Sequence, residues 1–196
     1  MARITYVIDG NIAHPQPEHE TNTVVHQVNC VGGSGLASFT EVYPYIETEY
    51  KARCGINNGF NGFAPRLKTG EIYVDSTSKL HFDEPNIIIA AVKDDWCHTS
   101  RSKHIIDILC ALTTLIDNAF ILSIALPALG CSGCTDTLSW DEIGPLVAEF
   151  LEPIRGLKVV VYITPRMRQY HITEQKGHLK DESESKSNTT YRQSGQ

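Results

Sequence analysis

No apolar run in this chain is long enough to cross a bilayer. The longest, Ile87 to Val92, falls far short of the roughly 20 residues a membrane helix needs. No leader is expected either: the N-terminal stretch "MARITYVIDG" has no long apolar h-region and no A-x-A site, and reads as a strand. There is also no excess of base. Seventeen Lys and Arg stand against 23 Asp and Glu, a net charge of −6. A general nucleic-acid footprint would be basic, so only a local basic patch is left open. The six cysteines (30, 54, 97, 110, 131 and 134) have no secretory context and are expected as reduced thiols. These absences predict a soluble intracellular protein, in the cytoplasm or, in a eukaryote, the nucleus. It is expected to have no membrane partner, no metal and no cofactor, and to be a monomer.

What is present is the patterning of one domain. With 196 residues, 41% of them hydrophobic, the chain can bury about 70% of its extended surface. "ITYVI" (4–8), "TVVHQVN" (23–29), "GEIYVDS" (70–76), "NIIIAAV" (86–92), "ILSIALPAL" (121–129) and "LKVVVYI" (157–163) read as strands, the last closing the sheet. "NIIIAAV" is apolar on both faces, as a buried strand would be. Leu36, Phe39, Tyr43, Ile46 and Tyr50 fall at helical spacing, with Pro44 set to kink or restart the helix. Residues 105, 109, 112 and 116 mark one face of a helix over 102–119. Ser139 and Glu142 form a capping-box pattern before a helix with Ile143, Leu146, Val147 and Phe150 inward. Strand and helix alternate, which predicts an α/β class with helices on both sides of a largely parallel sheet. After Pro165 the composition turns polar. "KDESESKSNTTYRQSGQ" has no aliphatic residue and cannot offset its ordering entropy, so residues 166–196 are expected as a disordered tail beyond a domain of residues 1–165.

The densest signal is "VVHQVNCVGGSGLASF", with Gly32, Gly33 and Gly35 between a strand and a helix. Glycines let backbone N–H groups approach an anion, and the following helix adds its positive end. A tight β–α turn is the plainer reading, and this loop alone does not separate the two. Gly33-x-Gly35-x-x-Ser38 nearly fits a dinucleotide fingerprint, but it follows the second strand and no acidic strand end comes about 20 residues later. No GK[ST] follows, so it is no Walker loop. A second glycine-rich loop, "PALGCSGCTDTLSW" (127–140), again follows a strand and precedes a helix. Two such loops on neighbouring parallel strands would flank one crevice, and two cradles suit a diphosphate.

With these motifs in order, the sequence resembles a macro domain, the ADP-ribose-binding fold, over about residues 3 to 163. It is most similar to terminal ADP-ribose protein glycohydrolase, the DNA ADP-ribosyl glycohydrolase antitoxins and the fungal ADP-ribose 1''-phosphatases. "RITYV…GN" matches the opening strand, "HQVNC" the strand ending at the distal ribose, "GSGLA" the G-x-G-[IV]-A loop, and "LPALGCSG" with "DTLSW" the second loop. The resemblance implies a three-layer α/β/α fold with a mixed, largely parallel sheet. It places Asn11 at the adenine, His26 and Asn29 at the distal ribose, and Ile12 among the ligand-binding residues. Gly33, Ser34, Gly35, Leu36 and Ala37 would form the first loop, and Gly130, Ser132, Gly133 and Cys134 the second.

The resemblance also implies a catalytic pair. "AAVKDDW" keeps the family's T-K-x-x-W spacing through Lys93 and Trp96, making Lys93 the nucleophile at the anomeric carbon. Asp136, through D-x-L-x-W, would be the acid/base. An amine attacks only when deprotonated. Taken without the family, Lys93 is a surface lysine at a strand end and Asp136 a turn aspartate. The implied activity is removal of ADP-ribose from a glutamate or aspartate side chain, or from another acceptor such as DNA. The alternatives are hydrolysis of the 1''-phosphate or the O-acetyl ester, and, in another class, non-catalytic reading of ADP-ribose. The partner is therefore ADP-ribose or an ADP-ribosylated protein or nucleic acid. The sequence departs from the pattern in three places: a first loop two residues shorter, Ser34 where relatives carry lysine, and an extra residue around Cys134. Cys131-x-x-Cys134 also invites a redox or zinc reading. Structural thiols are favoured, because a zinc site lacks two further ligands at a known spacing.

Overall fold

The computed structural model describes residues 1–32, 37–55, 66–75, 84–95, 97–131 and 138–163, with Ala37 and Ser38 described by their backbone alone. The expected tail, residues 166–196, lies outside them. Among the described residues there are six strands: β1 (Arg3–Ile8), β2 (Thr23–Asn29), β3 (Ile72–Val74), β4 (Asn86–Lys93), β5 (Ser123–Pro127) and β6 (Lys158–Ile163). They form one sheet in the order β1-β6-β5-β2-β4-β3, parallel throughout except for β3, which runs antiparallel to β4. Among the same described residues, four α-helices accompany it: α1 (Ala37–Val42), α2 (Pro44–Arg53), α3 (Ser102–Ala119) and α4 (Trp140–Leu151). Among the described residues no helix is long and apolar enough to cross a membrane.

Side-chain alternation explains the three layers. In β4, Ile88, Ala90 and Val92 join a cluster with α3 and α4, while Ile87, Ile89 and Ala91 join a second cluster with α1 and α2. A strand covered on both faces must be apolar at every position, which is why this one reads as a continuous run. In α3, Ile105, Leu109, Leu112 and Ile116 are buried as their spacing predicts, and Ile108 joins them. Pro44 splits the expected first helix. α1 stops at Val42, and the proline opens α2 at its first position, where a missing N–H breaks no intrahelical bond. The cap of α4 is as expected: Glu142 Oε2 accepts from both the N–H and the O–H of Ser139, each at 3.0 Å.

Two expectations are corrected. The final strand does not close the sheet but is inserted between β1 and β5. Val159 to Ile163 is apolar on both faces and needs neighbours on either side, whereas β1 leaves Tyr6 and Ile8 more than 40% exposed and suits an edge. The inward face of α4 is Trp140, Ile143, Val147 and Leu151, with Leu146 and Phe150 only half-buried. The Trp140 indole lies over Gly144, where a Cβ would come within 3.0 Å of the ring, and this turns the face toward the tryptophan.

Candidate active site

Because β1, β6, β5, β2 and β4 are mutually parallel, their carboxyl ends reach one edge of the sheet. Ile8, Asn29, Lys93, Pro127 and Ile163 end these strands, at the edge where open α/β sheets bind ligands. The β2 and β5 loops, both glycine-rich, follow adjacent strands, as one crevice between two cradles requires.

The turn after β1 is tight. A Cβ on Gly10 would come within 2.4 Å of Val7 Cγ1, so only glycine fits there. Asn11 is exposed, but its Oδ1 accepts from the Ala13 N–H at 2.9 Å and so shapes the turn. Ile12 lines a cavity of about 380 Å³ with Pro15, Val24, Tyr43 and Ala125. This cavity extends to Asn22 and Glu84 at the amino ends of β2 and β4, away from Lys93.

At the end of β2 the register with β4 slips. Val28 pairs with Ala91 but Asn29 pairs with Lys93, an extra residue in β4 that brings Lys93 level with Asn29. Such bulges re-aim side chains and recur beside active sites. The junction is held from three sides. The Cys30 N–H donates to the Asp94 carbonyl at 3.0 Å. Thr69 donates its hydroxyl to Asp94 Oδ1. The hydroxyl of the fully buried Tyr50 lies 2.8 Å from Asn29 Oδ1 and 2.9 Å from its carbonyl oxygen. Asn29 Oδ1 also accepts from the Val31 N–H at 3.0 Å, tying the side chain to the start of the first loop. Lys93 is half-buried, and Asp95 Oδ1 is buried with no hydrogen-bond partner among the described residues.

His26 sits three residues before the strand end, stacked on Phe39 with ring centroids 4.3 Å apart. Burial lowers its pKa to about 4, so the ring is neutral at physiological pH. The second loop begins in an ordered turn. The Ala128 N–H donates to the Tyr162 carbonyl and the Cys131 N–H to the Ala128 carbonyl, both at 3.0 Å. Gly130, at φ +74°, donates its N–H to Gln27 Oε1 at 2.9 Å. The Cys131 thiol is buried and pushed up to about 12, by burial first and by Glu142 second. That is opposite to the activation a redox CxxC needs in its first thiol.

No protein-family model matches the chain. Over 159 residues it is 30% identical to a DNA ADP-ribosyl glycohydrolase of Thermus aquaticus. That match takes in 79% of this chain and spans only 40% of the relative's length. The macrodomains of DarG from Thermus aquaticus and Mycobacterium tuberculosis are each 27% identical to it. Each alignment covers 83% of this chain and 99% and 98% of theirs, with TM-scores of 0.67 and 0.66. The chain has the macrodomain fold. Its six-stranded mixed sheet between two helical layers is the fold of those domains.

Within the macrodomain, Lys93 and Asn29 meet at one strand junction, and Gly130 and Asn11 stand at the carboxyl ends of the same sheet. Ala37 opens α1. Gly33, Ser34, Gly35, Leu36, Trp96, Ser132, Gly133, Cys134 and Asp136 lie outside the described residues. Trp140 is a core residue, in edge contact with Tyr6. Three polar groups at these strand ends escaped the sequence reading: Tyr50 and Thr69 at the junction, and Gln27 at Gly130. Tyr50 was visible only as an apolar member of a helical face, and Gln27 only as one polar residue in a strand.

Proposed function

We propose that this macrodomain binds ADP-ribose along the carboxyl ends of β1, β2, β4 and β5 and hydrolyses its bond to an acceptor, acting as an ADP-ribosyl glycohydrolase. The observation that carries the reading is the register slip that sets Lys93 level with Asn29, the residue from which the first glycine-rich loop leaves, with the second leaving from β5 on the other side of β2. The name of the Thermus aquaticus relative, DNA ADP-ribosyl glycohydrolase, supports an ADP-ribosylated acceptor, with DNA the first to test. In the mechanism that the resemblance implies, the Lys93 amine attacks the anomeric carbon of the distal ribose. The acceptor leaves with the bonding electrons and takes up a proton. Water then cleaves the lysyl adduct with help from Asp136, releasing ADP-ribose and restoring the amine. Proximity at a preformed junction lowers the barrier by fixing the near-attack geometry.

The phosphatase reading draws no support from His26. A ring that holds a proton only near pH 4 and is stacked on Phe39 is a poor acid/base at neutral pH. The domain is proposed to span residues 1–165, with residues 166–196 a polar extension of it.

The test is a panel of three substrates: an ADP-ribosylated DNA oligonucleotide, a peptide ADP-ribosylated on glutamate, and ADP-ribose 1''-phosphate. Turnover is expected on the first or second. Lys93→Ala should abolish it while ADP-ribose affinity, measured by calorimetry, stays within a few-fold. Full activity in Lys93→Ala would overturn the covalent route. Binding without turnover on any member would make the protein a reader, and no binding at millimolar ADP-ribose would overturn the ligand itself.

A further inference from the structure

We propose that Gln27 is a positioning residue of this site, which sets the second glycine loop through Gly130. The inference starts from a gap in the sheet. β2 pairs with β4 along its whole length, but with β5 it shares a single bridge, Val24 with Ala125. Beyond that bridge no ladder joins β2 to β5, although the two glycine loops leave from these two strands. Gln27 spans the gap. Its Oε1 accepts the Gly130 N–H at 2.9 Å, a bond between positions 103 apart in sequence. A backbone N–H can only donate, so the Gln27 atom facing it is the amide oxygen.

Gly130 is enclosed as well as tethered. Its φ of +74° is left-handed, and a Cβ there would lie 3.2 Å from Ile105 Cδ1, Leu138 Cδ1 and Ser100 Cβ. α3 therefore closes one side of the glycine while Gln27 holds it from β2. The Gly130 N–H points into the protein and serves the fold, so Gly130 is a pivot and not a ligand donor. A loop that cradles an anion works by aiming its N–H groups before the ligand arrives. A pivot fixed to the strand that carries Asn29 keeps the start of the second loop, at Gly130, in one position relative to Asn29.

The ligand half of this proposal rests on the ADP-ribose reading above, whereas the pivot itself does not, and two measurements separate them. The first is amide hydrogen exchange at Gly130 in the ligand-free protein, for wild type, Gln27→Leu and Gln27→Glu. Gln27→Leu removes the acceptor and should speed exchange about five-fold, the size of effect a net intramolecular hydrogen bond confers. Gln27→Glu keeps an acceptor oxygen and should restore wild-type exchange. Gln27→Asn, one methylene too short to reach, repeats the loss without an apolar side chain in case the leucine variant does not fold. The second measurement is ADP-ribose calorimetry. Affinity should fall about five-fold in the leucine and asparagine variants and recover in the glutamate variant. Unchanged exchange in Gln27→Leu and Gln27→Asn would overturn the pivot. Quickened exchange with unchanged ADP-ribose affinity would overturn its role in binding. If wild type binds no ADP-ribose, the ligand reading fails, and the exchange measurement alone still decides the pivot.

Discussion

The side of the sheet covered by α3 and α4 buries aliphatic side chains almost throughout: Ile88, Ile105, Ile108, Leu112, Leu126 and Val161 are all fully inaccessible. The side covered by α1 and α2 buries rings and polar tips among its aliphatics, with Phe39, Tyr43, Tyr50 and Tyr162 in the cluster and His26 stacked against it. The two sides flank the same strands but do different work. Aliphatic packing is nondirectional and supplies stability in proportion to the area removed from water. An aromatic residue with a hydroxyl can be buried and still hold one named group in place, as Tyr50 holds Asn29. On the proposed reading, function is concentrated where the α1–α2 side meets the strand ends, and the α3–α4 side is the platform beneath it.

The strongest way to break this comparison is to damage the platform. Leu112→Ala, at a fully buried site on α3, should lower stability by about 2–5 kcal/mol through lost burial and the cavity left behind. In the fraction still folded, ADP-ribose affinity should be unchanged. Urea unfolding paired with calorimetry checks both, and a comparable loss of affinity would show that the platform is part of the site.

The next effect is a pH dependence specific to the α1–α2 side. The unfolded chain protonates His26 near its ordinary pKa of 6.5, the folded protein only near 4. The contribution of the buried neutral ring is therefore complete above pH 6.5 and lost as pH falls toward 4, by roughly 3 kcal/mol over that window. Stability curves at pH 7, 5.5 and 4.5 should show that slope in wild type and a shallower one in His26→Phe. Equal slopes would mean that the ring is not held neutral.

Tyr50→Phe is the smallest and the sharpest of the three. It keeps the buried ring and removes only the hydroxyl that Asn29 accepts, at a cost of about 0.5–1.5 kcal/mol, because Asn29 Oδ1 keeps the Val31 N–H as a donor. If the two sides differ as described, ADP-ribose affinity should drop with it, because Asn29 then holds Val31 and the first loop less firmly. A loss of stability with full affinity would make Tyr50 a core residue like those on the α3–α4 side.

Much of this fold can be read from local pattern. The six strands, the α3 face and the Ser139–Glu142 cap depend on periodicity and on contacts within a few residues, and those properties are written along the chain. So is the presence of Lys93, Asn29 and Gly130 in recognisable motifs. The order of the strands is not local. The last strand sits between the first and the fifth because its two apolar faces need neighbours on both sides, a demand that only the assembled sheet can meet. The site divides in the same way. Its residue types and motif spacing were determined by the sequence alone. Only the tertiary structure decided that β4 carries an extra residue opposite Asn29, that Tyr50 and Thr69 lock that junction, and that Gln27 reaches Gly130 across 103 positions. Each of these is a hydrogen bond or register choice between segments remote in sequence, and its partner is defined only once packing has brought the strands side by side.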